Sequence, residues 1–330
     1  MLAFIVRRLL QSALVMLTVA LVAFTLFRYV GDPVNMLVAQ ETSLQEKEQI
    51  RQRLGLNDPA VVQFARFVAG AMRGDFGVSY RQTRPVEELI AERLPATLEL
   101  SLAAALIALG VGVPLGVYTG LHRDTLLSRA LQTLSLIGVS LPTFVTGILL
   151  ILLFSVTLHW LPAFSRGDAV QLGWWSTGLL TQSGLKALVM PAVTLGLFQL
   201  TMIMRLVRSE MIEVLRTDYI KFARARGLRD RTIHFGHALR NTLVPVITIA
   251  GLQLGSLIAF SIIVETVFQW PGMGLLFIQA VNSGDFPVLA AYLMLIAFLF
   301  VLINLVADLL CYAVDPRLRI DRAVAGQHTT

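Results

Sequence analysis

Six apolar stretches, each long enough to cross a bilayer, dominate this chain and constrain nearly everything it can fold into. Crossing about 30 Å of hydrocarbon takes roughly 20 apolar residues in a helix. The stretches fall at Leu9–Phe27, Leu98–Leu121, Leu131–Thr157, Ala187–Met204, Leu243–Val264 and Phe286–Leu310. Composition agrees: only 15% of the 330 residues are charged, against about a quarter in a soluble domain. Mean hydropathy is +0.72. The chain therefore reads as an all-α polytopic membrane protein with six transmembrane helices.

An even number of spans puts both termini on one side, and the Lys/Arg distribution says which. With the termini inside, the segment between the fourth and fifth spans, 205–240, is cytoplasmic and holds nine of the 27 Lys and Arg. The first outer segment also holds nine, but it is long, and long loops carry little weight in the rule. Ten carboxylates between Asp32 and Glu99 further offset that charge. Both termini are expected in the cytoplasm.

The pI of about 9.9 follows from this topology. No aromatic-interleaved basic face of the kind that binds single strands is present, so no nucleic acid is expected. A single cysteine, Cys311, excludes an intramolecular disulfide and a cysteine-only metal site. Leu9–Phe27 exceeds a signal-peptide core and runs into Arg28 and Tyr29 without a cleavage pattern, so it reads as a retained span. The organisation expected is an N-terminal helix (1–29), an outer helical loop (30–97), a five-helix core (98–312) and a cytoplasmic tail (313–330).

The outer segment has helical patterning of its own. Thr42 or Ser43 can cap a helix over Glu46–Leu54 that Gly55 ends, and Pro59 can begin another over Ala60–Met72. A turn at Gly74-Asp75-Phe76-Gly77 leads to a short amphipathic helix, Pro85–Leu94, expected to stop before Pro95. Trp160, Trp174 and Trp175 in the second outer segment suit interfacial anchors. The third, Glu265–Asp285, is too apolar for a solvated loop, and Trp270-Pro271-Gly272-Met273-Gly274 forbids a continuous helix. Non-helical backbone at that depth must be buried in protein or line a cavity. The segment is expected to fold back near the outer mouth of a pathway, with Trp270, Pro271 and Gly272 as a gate.

Gly110, Gly112, Pro114, Gly116, Pro142, Pro191, Gly196, Pro245, Gly251 and Gly255 lie within the spans. Such residues permit close helix packing, and their density suits a bundle that rearranges. Gln253, Ser256 and Pro142 are candidates for lining a pathway. Asp308, with Asn304 one turn earlier, reads as a structural partner for an inner-face arginine. An ion-driven carrier would want carboxylates near the midplane, and the spans supply none.

In the inner loop, Thr217 or Asp218 can cap a helix that begins at Tyr219 and stops at Gly227. Lys221, Arg224 and Arg226 alternate with Ile220, Phe222, Ala223 and Ala225. Such a helix could enter a groove on a partner protein or rest on anionic lipid, and periodicity leaves both open.

This region resembles the coupling motif of ATP-binding-cassette (ABC) importer permeases, E-A-A, three residues, Gly, nine residues, I-x-L-P. Ala223, Gly227 and Leu239 match; Lys221, Phe222, His237 and Arg240 depart from it. The chain is similar to the dipeptide/oligopeptide/nickel branch, which looks like D-Y-x-x-x-A-R-A-x-G-L followed by H-A-L-R-N. Here those strings are Asp218-Tyr219, Ala223-Arg224-Ala225-Arg226-Gly227-Leu228 and His237-Ala238-Leu239-Arg240-Asn241. Further strings in the same order include Leu54-Gly55-Leu56-Asn57-Asp58-Pro59, Arg93-Leu94-Pro95-Ala96-Thr97-Leu98-Glu99-Leu100, Ser140-Leu141-Pro142, Gly251-Leu252-Gln253 and Asp315-Pro316-Arg317. The long first outer segment resembles the B-type subunit.

The resemblance implies a type I importer permease fold in a bacterial inner membrane. It implies a second, C-type permease, two cytoplasmic ATPases and a periplasmic or lipid-anchored substrate-binding protein. Asp218, Tyr219, Ala223, Arg224, Ala225, Gly227 and Leu228 would couple to the ATPases, small Ala223 and the Gly227 turn permitting close docking. The movement would pass through the fourth and fifth spans to open the pathway outward. ATP and Mg would sit on the ATPases; this chain has no G-x-x-x-x-G-K-[ST] loop and is expected to bind no cofactor and catalyse nothing. Di- or oligopeptides are the expected cargo, with nickel, glutathione or another small solute as alternatives. A stand-alone secondary transporter and a membrane enzyme are the rivals from other classes.

Overall fold

A computed structural model describes residues 2–29, 43–53 and 56–314. The Gly55 stop, the Asp315-Pro316-Arg317 string and the tail lie outside the described residues, as do the side chains of Asp308 and Cys311. The helices are α1 (Leu2–Tyr29), α2 (Leu44–Arg53), α3 (Ala60–Met72), α4 (Val86–Leu121), α5 (Leu126–Ser140), α6 (Thr143–Leu150), α7 (Gln182–Val214), α8 (Asp218–Ala225), α9 (Leu239–Val267), α10 (Met273–Ser283) and α11 (Phe286–Val314). Five of them, α1, α4, α7, α9 and α11, are long and apolar enough to cross a membrane.

The third expected span is broken. α5 and the helix over Thr143–Thr157, whose second half is π-helical, meet at a bend of 107°. The cause is local: Pro142 forces Leu141 out of helical geometry and cannot donate to the ladder. A second expectation fails in the opposite direction. Pro95 does not stop a helix, because α4 runs unbroken from Val86, with Pro85 just before its first turn. Pro95 and Ala96 are buried within packed helices that hold the rod together despite the missing N–H. At 36 residues α4 is about 54 Å long, so the outer segment and the second span form one rod across the division expected at residue 97.

α7 is likewise longer than its apolar core. It begins at Thr181, whose hydroxyl accepts from the Gly184 N–H at 3.0 Å, and continues to Val214, well into the basic segment. α4 and α7 make the most extensive helix pair in the molecule. Their contact follows a stripe on α4 at intervals of four residues: Ala96, Leu100, Ala104, Ala108, Gly112, Gly116 and Gly120, all buried. A Cβ on Gly116 would lie 2.6 Å from the Val207 Cβ and 2.7 Å from the Met204 carbonyl, and one on Gly196 of α7 would lie 2.8 Å from the Ala104 carbonyl. With lipid on the outside there is no hydrophobic drive between helices, so this close approach supplies the dispersion that joins them.

The described part of the segment between α1 and α4 is tied down at several points. Ser43 and Glu46 form a reciprocal cap on α2, and Phe64 and Phe67 of α3 pack on Phe24 of α1 at centroid distances of 5.5 and 6.2 Å. The loop at 79–81 is held by buried Asp285, which accepts from Ser79 Oγ and, at 3.1 Å, from the Tyr80 N–H. Burial, then the Asp285 charge, push the Tyr80 phenol above its ordinary range. One feature departs from an all-helical chain: Val170–Leu172 (β1) and Trp175–Thr177 (β2) pair antiparallel around Gly173-Trp174. Trp160 and Trp174 are exposed, as anchors require, whereas Trp175 is half-buried.

Candidate functional site

After Val214, α7 stops because the chain turns: the Thr217 N–H and hydroxyl both reach back to the Val214 carbonyl. Thr217 therefore holds the N-cap position of α8 in extended geometry without bonding that helix through its side chain, contrary to the expected cap. Asp218 occupies the first turn, where the helix dipole favours a carboxylate. Lys221, 2.8 Å away, holds the Asp218 carboxyl below the usual range, through its hydrogen bond first and its charge second.

α8 is two-faced. Ile220 and Ala223 are buried in a cluster with Val117 of α4, Val207 and Met211 of α7, Ile233, Ala238 and Val246. Ala223 thus faces the chain's own bundle, where its small side chain packs in that cluster. The outward face carries Tyr219, Phe222, Arg224, Ala225 and Leu228, all exposed. Phe222 is 64% exposed, with the Arg226 guanidinium 5.9 Å from its ring centroid. Tyr219 is steadied by Asn241, whose amide donates to its hydroxyl at 2.6 Å. Gly227 ends the helix with φ +74° while the Leu228 N–H reaches back to the Ala223 carbonyl. A Cβ at 227 would meet no atom of the described residues within 4 Å.

At the other end of the bundle, the 270–272 turn is a packed plug. Trp270 is 1% exposed, and its indole N–H donates to the Ala96 carbonyl of α4 at 3.0 Å. Gly272 lies so close to Glu265 of α9 that a Cβ there would be 2.5 Å from the carboxylate. Glu265, fully buried, accepts from Thr97 at 2.7 Å, Ser261 at 3.1 Å and the Leu275 N–H at 3.0 Å. Thr97 in turn accepts from the Met273 N–H at 2.8 Å, so one threonine and one glutamate join α4, α9 and α10. The apolar segment after Glu265 folds back over the spans, as its composition requires.

A second buried pair flanks this plug. Arg166 donates to Glu99 of α4 and, at 2.7 Å, to the Ser176 carbonyl of the hairpin. Both side chains are more than nine-tenths buried. Neither pairing is apparent in the chain order: Thr97 and Glu265 are 168 residues apart, Glu99 and Arg166 67. The only hint was that Thr97, Glu99 and Glu265 lie at the ends of apolar stretches.

The candidate pathway residues are less convergent. Ser256 Oγ lies 2.7 Å from the Gln253 carbonyl and 3.0 Å from its Oε1, so the two half-buried side chains on α9 are tied to each other. Pro142 lies exposed at the apex of the 107° bend. On the far face of α9, Gly251 and Gly255 admit Ala307 and Phe300 of α11. Among the described residues no group of three or more His, Cys, Asp or Glu could hold a metal ion.

The model for binding-protein-dependent transport system inner membrane components matches residues 112–320, and its N-terminal companion matches residues 1–101. A di/tripeptide transport system permease protein of Pseudomonas aeruginosa is 39% identical, covering 98% of this chain and 100% of that protein. A glutathione transport system permease protein of Salmonella paratyphi A is 37% identical over 97% of this chain and 99% of its own length. In fold, the chain is similar to one from an inward-facing methionine ABC transporter, with TM-score 0.55 and 20% identity over 69% of this chain and 96% of that one. A two-faced helix, α8, on long crossing rods, with a plug at their far end, is thus the architecture of an integral membrane protein that belongs to the family of binding-protein-dependent transport system inner membrane components, the permeases of ABC importers.

Proposed function

We propose that this chain imports di- and oligopeptides across a bacterial cytoplasmic membrane as one of two permease subunits, with both termini in the cytoplasm. It performs no catalysis itself. Two cytoplasmic ATPases drive it, a C-type permease completes the pathway, and a periplasmic or lipid-anchored binding protein delivers the cargo. Glutathione is the second reading, favoured by the similarity to the Salmonella permease and by its own tripeptide chemistry.

The observation that carries this reading is the two-faced α8. Its inward face is locked onto α4, α7 and α9, so a push on Phe222, Arg224 or Leu228 moves those rods and not a loose loop. The family resemblance implied the fourth and fifth spans as the transmission; the packing adds the second, because Val117 and Gly120 of α4 meet the α7–α8 junction. The buried stripe on α4 runs from there to Ala96, which holds Trp270 of the outer turn. ATP-driven closure at the inner end therefore has a stiff route to the plug, with interiors packed tightly enough to transmit strain.

Proteoliposomes containing this chain, its companion permease, ATPases and binding protein provide the test. Uphill uptake of a labelled dipeptide that requires internal ATP and the binding protein is expected. Uptake by this chain alone, driven by an ion gradient, overturns the assignment.

A further inference from the structure

α3 is an apolar helix that the chain leaves uncovered. Gln63 and Arg66 are the only polar side chains among its 13 residues, yet none of those residues is buried. At about 3.6 residues per turn, Gln63, Arg66 and the C-terminal Arg73 share one strip, and the rest of the circumference carries no polar side chain. Within the strip, Gln63 donates to the Leu56 and Asp58 carbonyls, and Arg66 pairs with Asp58 at 2.8 Å. Phe64 and Phe67 occupy one side of the apolar arc by packing on Phe24 of α1. The other side, with Val61, Val62, Ala65, Ala69 and Met72, is exposed, Val61 to 78% and Met72 to 84%.

We propose that this exposed side of α3 lies among lipid acyl chains just beneath the headgroups, making α3 an interfacial helix that holds the C-terminal end of α1 at a fixed depth. An apolar stripe left open on a helix marks a contact, and three observations point to lipid as the occupant. The first is depth. The apolar segment of α1 runs over Val6–Leu26, 21 residues and so about 31 Å, close to the thickness of the hydrocarbon core. Phe24 lies two residues before its end, about 3 Å inside that boundary, and its contacts set α3 at the same level. The second is surroundings. α1 is the least buried of the five helices long and apolar enough to cross a membrane, and Leu21, Val22 and Leu26 beside Phe24 are exposed, as lipid-facing groups are. The third is charge. Arg66 and Arg73 are both exposed on the polar strip, where their long side chains reach headgroup phosphates while the apolar arc stays in hydrocarbon. That this leaflet is the outer one rests on the proposed orientation; the seating of α3 does not.

The full chain, purified with the subunits it retains, is reconstituted in phospholipid bilayers with a single nitroxide attached at Val61→Cys, Ala65→Cys, Met72→Cys, Arg66→Cys or Arg73→Cys, each in a Cys311→Ser background. Power-saturation electron paramagnetic resonance then measures collisions with oxygen, which concentrates among acyl chains, and with a water-soluble nickel chelate. The ratio of oxygen to nickel collisions is expected to be several-fold higher at 61, 65 and 72 than at 66 and 73. Few collisions with either reagent at 61, 65 and 72 would show a protein partner covering the face. Frequent collisions with the chelate there would show that it faces water. Either result overturns the proposal. Should Cys311→Ser insert poorly, Val61→Trp and Arg73→Trp are compared with Cys311 kept. Lipid brominated on its acyl chains should quench the tryptophan added at 61 several-fold more than the one added at 73, and equal quenching overturns the proposal. None of these measurements requires transport, so their outcome is independent of the assignment as an importer.

Discussion

The Thr97 hydroxyl of α4 donates to the Glu265 carboxylate of α9 at 2.7 Å while its oxygen accepts from the Met273 N–H at 2.8 Å. All of these groups are buried. Thr97→Val keeps the shape but orphans the Met273 N–H and leaves the Glu265 oxygen with Ser261 alone, a loss of about 1–3 kcal/mol for the orphaned donor. The solubilised protein should melt at a lower temperature by size-exclusion monitored through its tryptophans, and Thr97→Ser should restore most of the loss. Equal melting of wild type and Thr97→Val would show that the plug is not held this way.

The two faces of α8 separate stability from coupling. Ile220 is fully buried, so Ile220→Ala should destabilise by about 2–5 kcal/mol. Phe222 is 64% exposed, and Phe222→Ala should leave the melting temperature within about 0.5 kcal/mol of wild type. Yet Phe222→Ala should sharply reduce ATP-dependent uptake in the assembled importer, because its ring offers a partner groove the largest apolar surface on the helix. Normal uptake by a stably inserted Phe222→Ala protein removes that face from the coupling contact.

Gly227 makes a further distinction possible. Its φ of +74° is left-handed, where asparagine is tolerated and a β-branched side chain is strained. Because a Cβ there meets no described atom of this chain within 4 Å, Gly227→Arg or Gly227→Asp should still insert and should abolish uptake chiefly through what docks outside. Backbone strain predicts a different order: Gly227→Asn should retain more uptake than Gly227→Val at equal membrane abundance. Uptake ratios normalised to immunoblots measure both effects, and normal uptake by Gly227→Arg refutes the docking role.

The spans and the α8 stop were legible because each rests on local physics: apolar length, charge asymmetry, and a glycine where the backbone turns left-handed. Proline misled twice, in opposite senses. At Pro142 the break is sharper than a span with one proline suggests, whereas at Pro95 tertiary packing carries the helix straight through. The plug and the Glu99–Arg166 pair were not legible, since their partners come from distant parts of the chain and no local pattern marks them. Ala223 shows the subtler failure. A motif match singled it out but not which way it faces, which only the contacts with α4, α7 and α9 reveal.

The same contacts make a paired glycine test of the α4–α7 body. Gly116 and Gly110 lie six residues apart on one helix, with opposite surroundings. A methyl at 116 would press on Val207 at 2.6 Å and on the Met204 backbone at 2.7 Å, whereas one at 110 would meet nothing within 4 Å. Overpacking of this kind typically costs about 1–3 kcal/mol, while an exposed helical Gly→Ala change gains up to about 1 kcal/mol from reduced unfolded-state entropy. Gly116→Ala should therefore lower the melting temperature and, by prising α7 from α4, weaken uptake more than stability alone explains. Gly110→Ala should melt at or above the wild-type temperature with uptake unchanged. If the two variants behave alike in both measurements, the small-residue stripe is incidental, and the inner helix must reach the outer plug by another route.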